Sequence, residues 1–314
     1  MEISLATFLA AVAAMSAPVI LAALGETLTE KAGVVNLSLD GAILLSAMAG
    51  FVVATSSASL PLGFAASALT GSLVAAVLAV IGVSLHQSQV AAGFALTFLC
   101  RDLAYFLGHP YARQQGPQLT TLPLPGLADL PFFGEVLFSH SLVVYASFLA
   151  IPCCLLFLHR SRWGLMLRCA GENPEACWAR GIDPNRVRFA AVVAGGALVG
   201  LAGGAFSLAV KPGWGQPQGC EGIGWIALAL VIFGGWKPLR VALGAYLFAA
   251  LQLLGIHFQD AFPTVPAQIF QVAPFPLMIF TLILIHASRR SRGRLNRLLA
   301  GNAPKWLGRA YRRS

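Results

Sequence analysis

Residues 41–100 read GAILLSAMAG FVVATSSASL PLGFAASALT GSLVAAVLAV IGVSLHQSQV AAGFALTFLC, sixty positions without one Asp, Glu, Lys or Arg. As a single helix this stretch would be about 90 Å long, roughly three hydrocarbon thicknesses of a bilayer. It must therefore fold back on itself. Turn signals fall where the folds are needed: Ser56-Ser57-Ala58-Ser59 ahead of Pro61, and His86-Gln87-Ser88-Gln89. They divide the stretch into expected spans at 41–57, 62–85 and 89–108.

Working outward, two more uncharged runs occupy 189–210 and 261–288. Over all 314 residues, 57% are hydrophobic and 11% charged, against about a quarter charged in a soluble chain. Too few charges remain to clothe a water-soluble body, and disorder needs low hydrophobicity instead. A transmembrane β-barrel would show alternating segments of about 10 residues, and none stands out. The chain reads as an all-α polytopic membrane protein, one bundle of about nine helices (eight to ten). The remaining expected spans are 4–25, 140–159, 189–210, 223–236, 239–257 and 268–287. Residues 1–288 form the membrane domain and 289–314 a basic tail. The stretch 26–40 reads as a polar interruption, whose part around 30–40 alternatively dips into the membrane without crossing, and 109–138 as an irregular proline-rich loop.

Charge sets the sides. Residues 289–314 carry nine Lys and Arg and no acid, and 160–188 carry six bases against three acids. Basic segments beside membrane spans stay in the cytoplasm. Four crossings separate the two segments, which puts both on one side, 109–138 on the other and the N-terminus outside. Attraction to lipid headgroups explains the tail more simply than nucleic acid does. The N-terminus, with Glu2 and no base, lacks the positive region of a cleaved signal. Six cysteines form no C-x-x-C pair, no His cluster has metal-ligand spacing, and the thiols read as apolar fillers.

Two local patterns carry more detail. Gly196, Gly200 and Gly204 recur every four residues, a stripe for close helix packing. Between 160 and 188, Asn173 is an N-cap, Pro174 a first helical residue and Gly181 a stop. A second cap and start follow at once in Asp183-Pro184. This specifies a short cytoplasmic helix joined to the 189–210 span, with Glu172 and Glu175 at its positive end. Trp178 suits either an anchor in a partner's groove or a headgroup contact.

Here the residues resemble a family. Gly171-Glu172-Asn173-Pro174 followed by Ala179 and Gly181-Ile182 is similar to the loop of bacterial ATP-binding cassette permeases of the simple-sugar and nucleoside type. These are related to branched-chain amino-acid permeases. Glu30-Lys31-Ala32-Gly33-Val34-Val35-Asn36-Leu37 with Asp40-Gly41 resembles the family's early E-K/R-x-G-V-x-N-I/L-x-x-D/E-G motif. Gly222-Ile223-Gly224-Trp225-Ile226-Ala227-Leu228-Ala229, with Trp236-x-Pro238, resembles its late block. Order and spacing match from about residue 20 to 287. Ser38, Asp40 and Lys31 depart from the commoner glycine, glutamate and arginine. The Gln89-Val90 pair and the short N-terminal region look most like the shorter permease of nucleoside importers.

The resemblance implies a permease subunit in a bacterial inner membrane, multi-pass, with a cytoplasmic C-terminus. It implies pairing with an identical or related permease, a cytoplasmic ATPase subunit and an external substrate-binding protein. Residues 174–180 would be the coupling helix, so Gly171, Glu172, Asn173, Pro174, Glu175, Trp178, Ala179 and Gly181 become coupling candidates. No G-x-x-x-x-G-K-S/T loop occurs. ATP and Mg are therefore expected on the partner ATPase subunits, with no cofactor on this chain and no enzymatic step of its own. A nucleoside, or alternatively ribose or another simple sugar, needs hydrogen-bond partners along its path. Asn36, Gln89, Thr97 and Gln252 are candidates, the bland alternative for each being a helix-to-helix hydrogen bond. Arg101 and Asp102 read as a gate or docking contact, or as side chains snorkelling to the outer interface. An ion-coupled secondary transporter would usually carry acids within its spans, where only Asp102 qualifies clearly. A membrane enzyme would need a convergent catalytic set, and none is apparent.

Overall fold

A computed structural model describes residues 4–261 and 303–311, with Pro276. The helices are α1 (Leu5–Lys31), α2 (Leu39–Ser57), α3 (Leu60–Ala79), α4 (Gln89–Gly108), α5 (Phe133–Leu137), α6 (Leu142–Arg160), α7 (Arg162–Glu172), α8 (Pro174–Ala179), α9 (Pro184–Ala205), α10 (Ile223–Phe233) and α11 (Pro238–Ala261). Seven of them, counting terminal π or 3-10 turns, are long and apolar enough to cross a membrane. These sit on the spans expected at 4–25, 41–57, 62–85, 89–108, 140–159, 189–210 and 239–257. The span expected at 268–287 lies outside the described residues.

Three expectations are corrected. The interval 26–40 is not a polar interruption throughout. α1 runs on through Glu26 and Glu30 to Lys31, because both carboxylates find places in the bundle interior. The interval 223–236 yields only an 11-residue helix, about 16 Å long and half a bilayer deep. Part of the basic loop is helical: α7 starts where Ser161 Oγ accepts the Gly164 N–H at 2.8 Å. The 109–138 loop is irregular as expected, with short elements of its own. Within it, β1 (Thr121–Pro123) pairs antiparallel with β2 (Ser139–Ser141), Leu122 facing His140.

α9 is the axis of the bundle, packed by α1, α2 and α3. Its glycines explain how. A Cβ on Gly196, Gly200 or Gly204 would come within 2.6 Å of atoms of α3. One on Gly195 would sit 2.5 Å from the Gly25 carbonyl of α1, and one on Gly203 2.4 Å from the Ile43 carbonyl of α2. Small residues let three backbones close on one helix, which substitutes in lipid for a hydrophobic driving force between helices. Large apolar side chains of α3, α4 and α6, such as Leu73, Phe98 and Leu149, face outward. In a bilayer, these surfaces meet acyl chains at no cost.

Candidate functional site

α8 is built as its sequence specifies. Asn173 Oδ1 accepts the Ala176 N–H at 3.0 Å, Pro174 opens the helix, and Gly181 turns the chain at φ +77°. Asp183 then accepts from the Asn185 and Arg186 N–H groups, 2.9 and 3.4 Å away, and starts α9. Pro174 and Cys177 face inward, while Glu172, Glu175, Trp178 and Ala179 are exposed. Burial, with the neighbouring Cys169, pushes the Cys177 thiol up to about 12, so it stays a neutral filler at neutral pH. Gly171 seats the segment on α1: a Cβ there would lie 2.2 Å from the Lys31 carbonyl. The Glu172 carboxylate is within electrostatic reach of Lys31.

Beneath α8 lies Arg188, 1% exposed. Its guanidinium has no carboxylate partner among the described residues and donates instead to three carbonyls. Nε reaches Ala32 O at 3.1 Å, Nη2 reaches Ala170 O at 2.9 Å, and Nη1 reaches Arg309 O at 3.0 Å. Ala32 and Ala170 end α1 and α7, where unpaired carbonyls and the helix dipole favour a cation. One side chain thus closes two helices and holds them to the start of α9. The tail contact also places residues 303–311 at the α8 end.

The early and late motifs meet inside the bundle. Residues 34–38 run non-helically from the α8 end to the middle of α4, where Thr97 Oγ1 donates to Leu37 O at 2.6 Å. Residues 211–222 run non-helically from the opposite end. α2 and α10 therefore begin next to each other and leave in opposite directions. Asp40 Oδ1 accepts the Gly224 N–H at 3.2 Å, satisfying a donor of α10 that has no partner within its own helix. Backbone here touches backbone: a Cβ on Gly224 would lie 2.2 Å from the Asp40 nitrogen, and one on Gly41 2.3 Å from the Thr97 carbonyl. A second tie lies nearer the α8 end, where Trp236 Nε1 donates to Glu30 Oε2. Glu26 is 0% exposed; its Oε1 accepts the Asn36 N–H at 3.1 Å, and its Oε2 has no hydrogen-bond partner. A half-length helix such as α10, and the irregular chain beside it, is tolerated in a membrane only where protein covers the freed backbone.

Three of the four proposed path residues come together here, around backbone rather than around a cavity. Asn36 Oδ1 accepts from Ser38 N and Oγ, Gln89 Oε1 accepts from Val35 N at 3.0 Å, and all of Asn36, Gln89 and Thr97 are buried. They hold residues 34–38 in place. Gln252 stands apart on α11 and is half-buried. Arg101 and Asp102 are exposed near the end of α4 away from α8. Sequence reasoning missed Arg188, which it counted only as loop charge, and missed the contact between the two motifs. The available signal was Gly222-Ile223: a helix start without any capping side chain of its own.

At the end opposite α8, a polar cavity of about 250 Å³ is lined by Arg113, Gln114, Lys211, Trp214 and Gln218. Gln218 organises its floor, taking the Gly215 N–H and donating to Gly213 O. Glu221 holds the same loop, accepting from Tyr105 and from the Gln218 and Gly219 N–H groups. A larger cavity of about 470 Å³, between Leu21, Phe64, Leu119, Val143 and Leu201, is wholly apolar. It offers nothing to a hydroxylated solute. No three His, Cys, Asp or Glu among the described residues are grouped to hold a metal ion.

Comparison with known proteins adds to this geometry. Residues 8–282 match a family described as branched-chain amino acid transport system, permease component. The chain is 39% identical over 246 residues to a putative glucose ABC transporter permease, TsgC13, of Haloferax volcanii, covering 77% of this chain and 74% of that protein. It is 30% identical over 285 residues to the guanosine ABC transporter permease NupQ of Bacillus subtilis, covering 85% and 88%. It is 29% identical over 285 residues to the nucleoside ABC transporter permease NupC of Lactococcus lactis, covering 86% and 88%. No solved structure matches the chain.

Proposed function

The chain belongs to the branched-chain amino acid transport permease family, and on that premise we propose that it forms half of a path for a nucleoside. It is a multi-pass membrane protein and the permease subunit of an ATP-binding cassette importer, a component that is not itself an enzyme. This assignment replaces the ion-coupled alternative. Such permeases work with an ATPase and a substrate-binding protein. In this reading a second permease, identical or related, completes the path. ATP and Mg bind only on the ATPase subunits, and no nucleic acid is involved. The membrane is the bacterial inner membrane, with α8 and the C-terminus on its cytoplasmic side.

The observation that carries the reading is the short connection between α8 and α9, with each helix capped at its start. A six-residue helix, capped at its start and followed by the Asp183-Pro184 cap, leads directly into the helix that α1, α2 and α3 all grip. Displacement of α8 by an ATPase therefore moves the bundle's axis. Gly171, Glu172, Asn173, Pro174, Glu175, Trp178, Ala179 and Gly181 form or seat that contact. At the opposite end, the polar cavity around Trp214 is where a solute released by the binding protein first meets hydrogen-bond donors and acceptors. A simple sugar is the second reading, favoured by the 39% identity to a putative glucose permease.

Uptake of labelled nucleosides and sugars tests both, in cells lacking the chain and in cells complemented with wild type, Glu172→Lys or Ala179→Trp. Nucleoside uptake should vanish in the deletion and return with wild type only. The two variants should insert in the membrane yet fail to retain the ATPase on purification. Loss of sugar uptake alone moves the substrate to the second reading. Native transport by both variants overturns the coupling assignment.

A further inference from the structure

Residues 303–311 are tied to four separate parts of the α8 end. Trp306 N donates to Gly171 O, at the end of α7, at 3.0 Å; Gly308 N donates to Gly33 O, in the turn after α1, at 3.0 Å. Arg309 O accepts from Arg188 Nη1 at 3.0 Å. Tyr311 O takes two donors, His86 Nε2 at 2.8 Å from the α3–α4 link and Asn185 Nδ2 at 3.4 Å from α9. A carbonyl only accepts, so the His86 proton is on Nε2. Pro304 and Tyr311 are buried, and the Trp306 ring meets the Tyr311 ring edge-on at 6.1 Å. Gly33 and Gly308 both stand at positive φ, +93° and +72°. A Cβ on Gly33 would lie 3.1 Å from Arg188 Nη2, 3.2 Å from Trp306 O and 3.3 Å from Gly171 Cα, so the turn sits close against α9, the tail and α7 together.

We propose that residues 303–311 are a strap that positions the coupling machinery, binding α7, the start of α9, the Gly33 turn and the His86 link into one rigid body. The inference rests on α8 being the ATPase contact. Arg188 already ties α9 to Ala32 and Ala170, and the strap adds further ties. Through the strap a push on α8 reaches Gly33, from which residues 34–38 lead to the Asp40–Gly224 crossing. It also reaches His86, from which α4 leads to Thr97. The strap touches neither solute nor nucleotide. It acts by making residues 34–38 and α4 move with α9.

The test compares the assembled transporter, reconstituted with its ATPase and binding protein, carrying the wild-type chain, a deletion of residues 303–314, Gly308→Val or Lys305→Ala. Solute uptake and ATP hydrolysis are measured together. The deletion and Gly308→Val should lower uptake about tenfold, a typical size for a lost coupling energy, while hydrolysis and subunit association persist. The number of ATP hydrolysed per solute therefore rises, which a loss of fold would not produce. Lys305→Ala keeps the backbone contacts and should match wild type. Native uptake by both the deletion and Gly308→Val overturns the proposal. So does loss of the ATPase from those two variants, which would make the tail a docking element. Equally, a Lys305→Ala defect matching the deletion would assign the effect to charge. If Glu172→Lys binds the ATPase and transports normally, the α8 reading itself fails, whatever the strap variants do.

Discussion

α9 and α10 both begin where the chain turns back into the bundle, and their first turns are satisfied in opposite ways. At α9 the solution is local: Asp183, immediately before the helix, accepts from the N–H groups two and three residues on, and Pro184 supplies a fixed φ. At α10 the residue before the helix is Gly222, which has no side chain to offer. The acceptor comes from Asp40, 184 positions earlier. A local cap makes a helix start that survives rearrangement around it. A borrowed cap makes one that exists only while two distant segments stay together. The first suits a lever driven from outside. The second suits the centre of a path, where the half-length α10 and the start of α2 hold one another across a joint that can be shifted.

This contrast can be broken in graded steps. Gly224→Val should have the largest effect, because its Cβ would lie 2.2 Å from the Asp40 backbone nitrogen, which cannot yield as a flexible side chain does. A loss on the order of 3 kcal/mol or more is expected, seen as failure to recover monodisperse protein in detergent. Asp40→Ala should cost about 1–3 kcal/mol by leaving a buried N–H unpaired. Asp40→Asn keeps an acceptor oxygen and should cost less, so the two melting temperatures should separate. Asp183→Ala should be mildest, about 1 kcal/mol for a lost N-cap. It should lower coupling more than it lowers the melting temperature. Equal melting shifts for Asp40→Ala and Asp183→Ala would remove the distinction between borrowed and local caps.

What was legible follows the same division. The spans were readable because an uncharged run of membrane length has few alternatives, and α8 because its start, stop and successor are marked by neighbouring residues. The helical stripe of Gly196, Gly200 and Gly204 was readable as packing, and α3 is what it packs on. Glu26 and Glu30 misled. Carboxylates ordinarily mark the end of a span, and nothing local reveals that Asn36 and Trp236 donate to them. Arg188 misled likewise: it is the last charge before an uncharged run, which reads as a surface residue. Only its three carbonyl partners, from the ends of α1 and α7 and from the tail, make it interior. Asn36, Gln89 and Thr97 stand out in the sequence as polar groups in apolar surroundings, but their hydrogen bonds go to residues 34–38.

By itself the sequence determined that this chain crosses a membrane repeatedly and carries a short capped helix between basic flanks. Hydropathy and helix caps act within a few residues of one another, so their consequences are written locally. Tertiary structure alone decided that Asp40 caps α10, that Arg188 closes α1 and α7, and that the tail lies on both. Backbone groups freed by a broken helix must be satisfied inside the bundle, and their partners are chosen by proximity in space rather than along the chain.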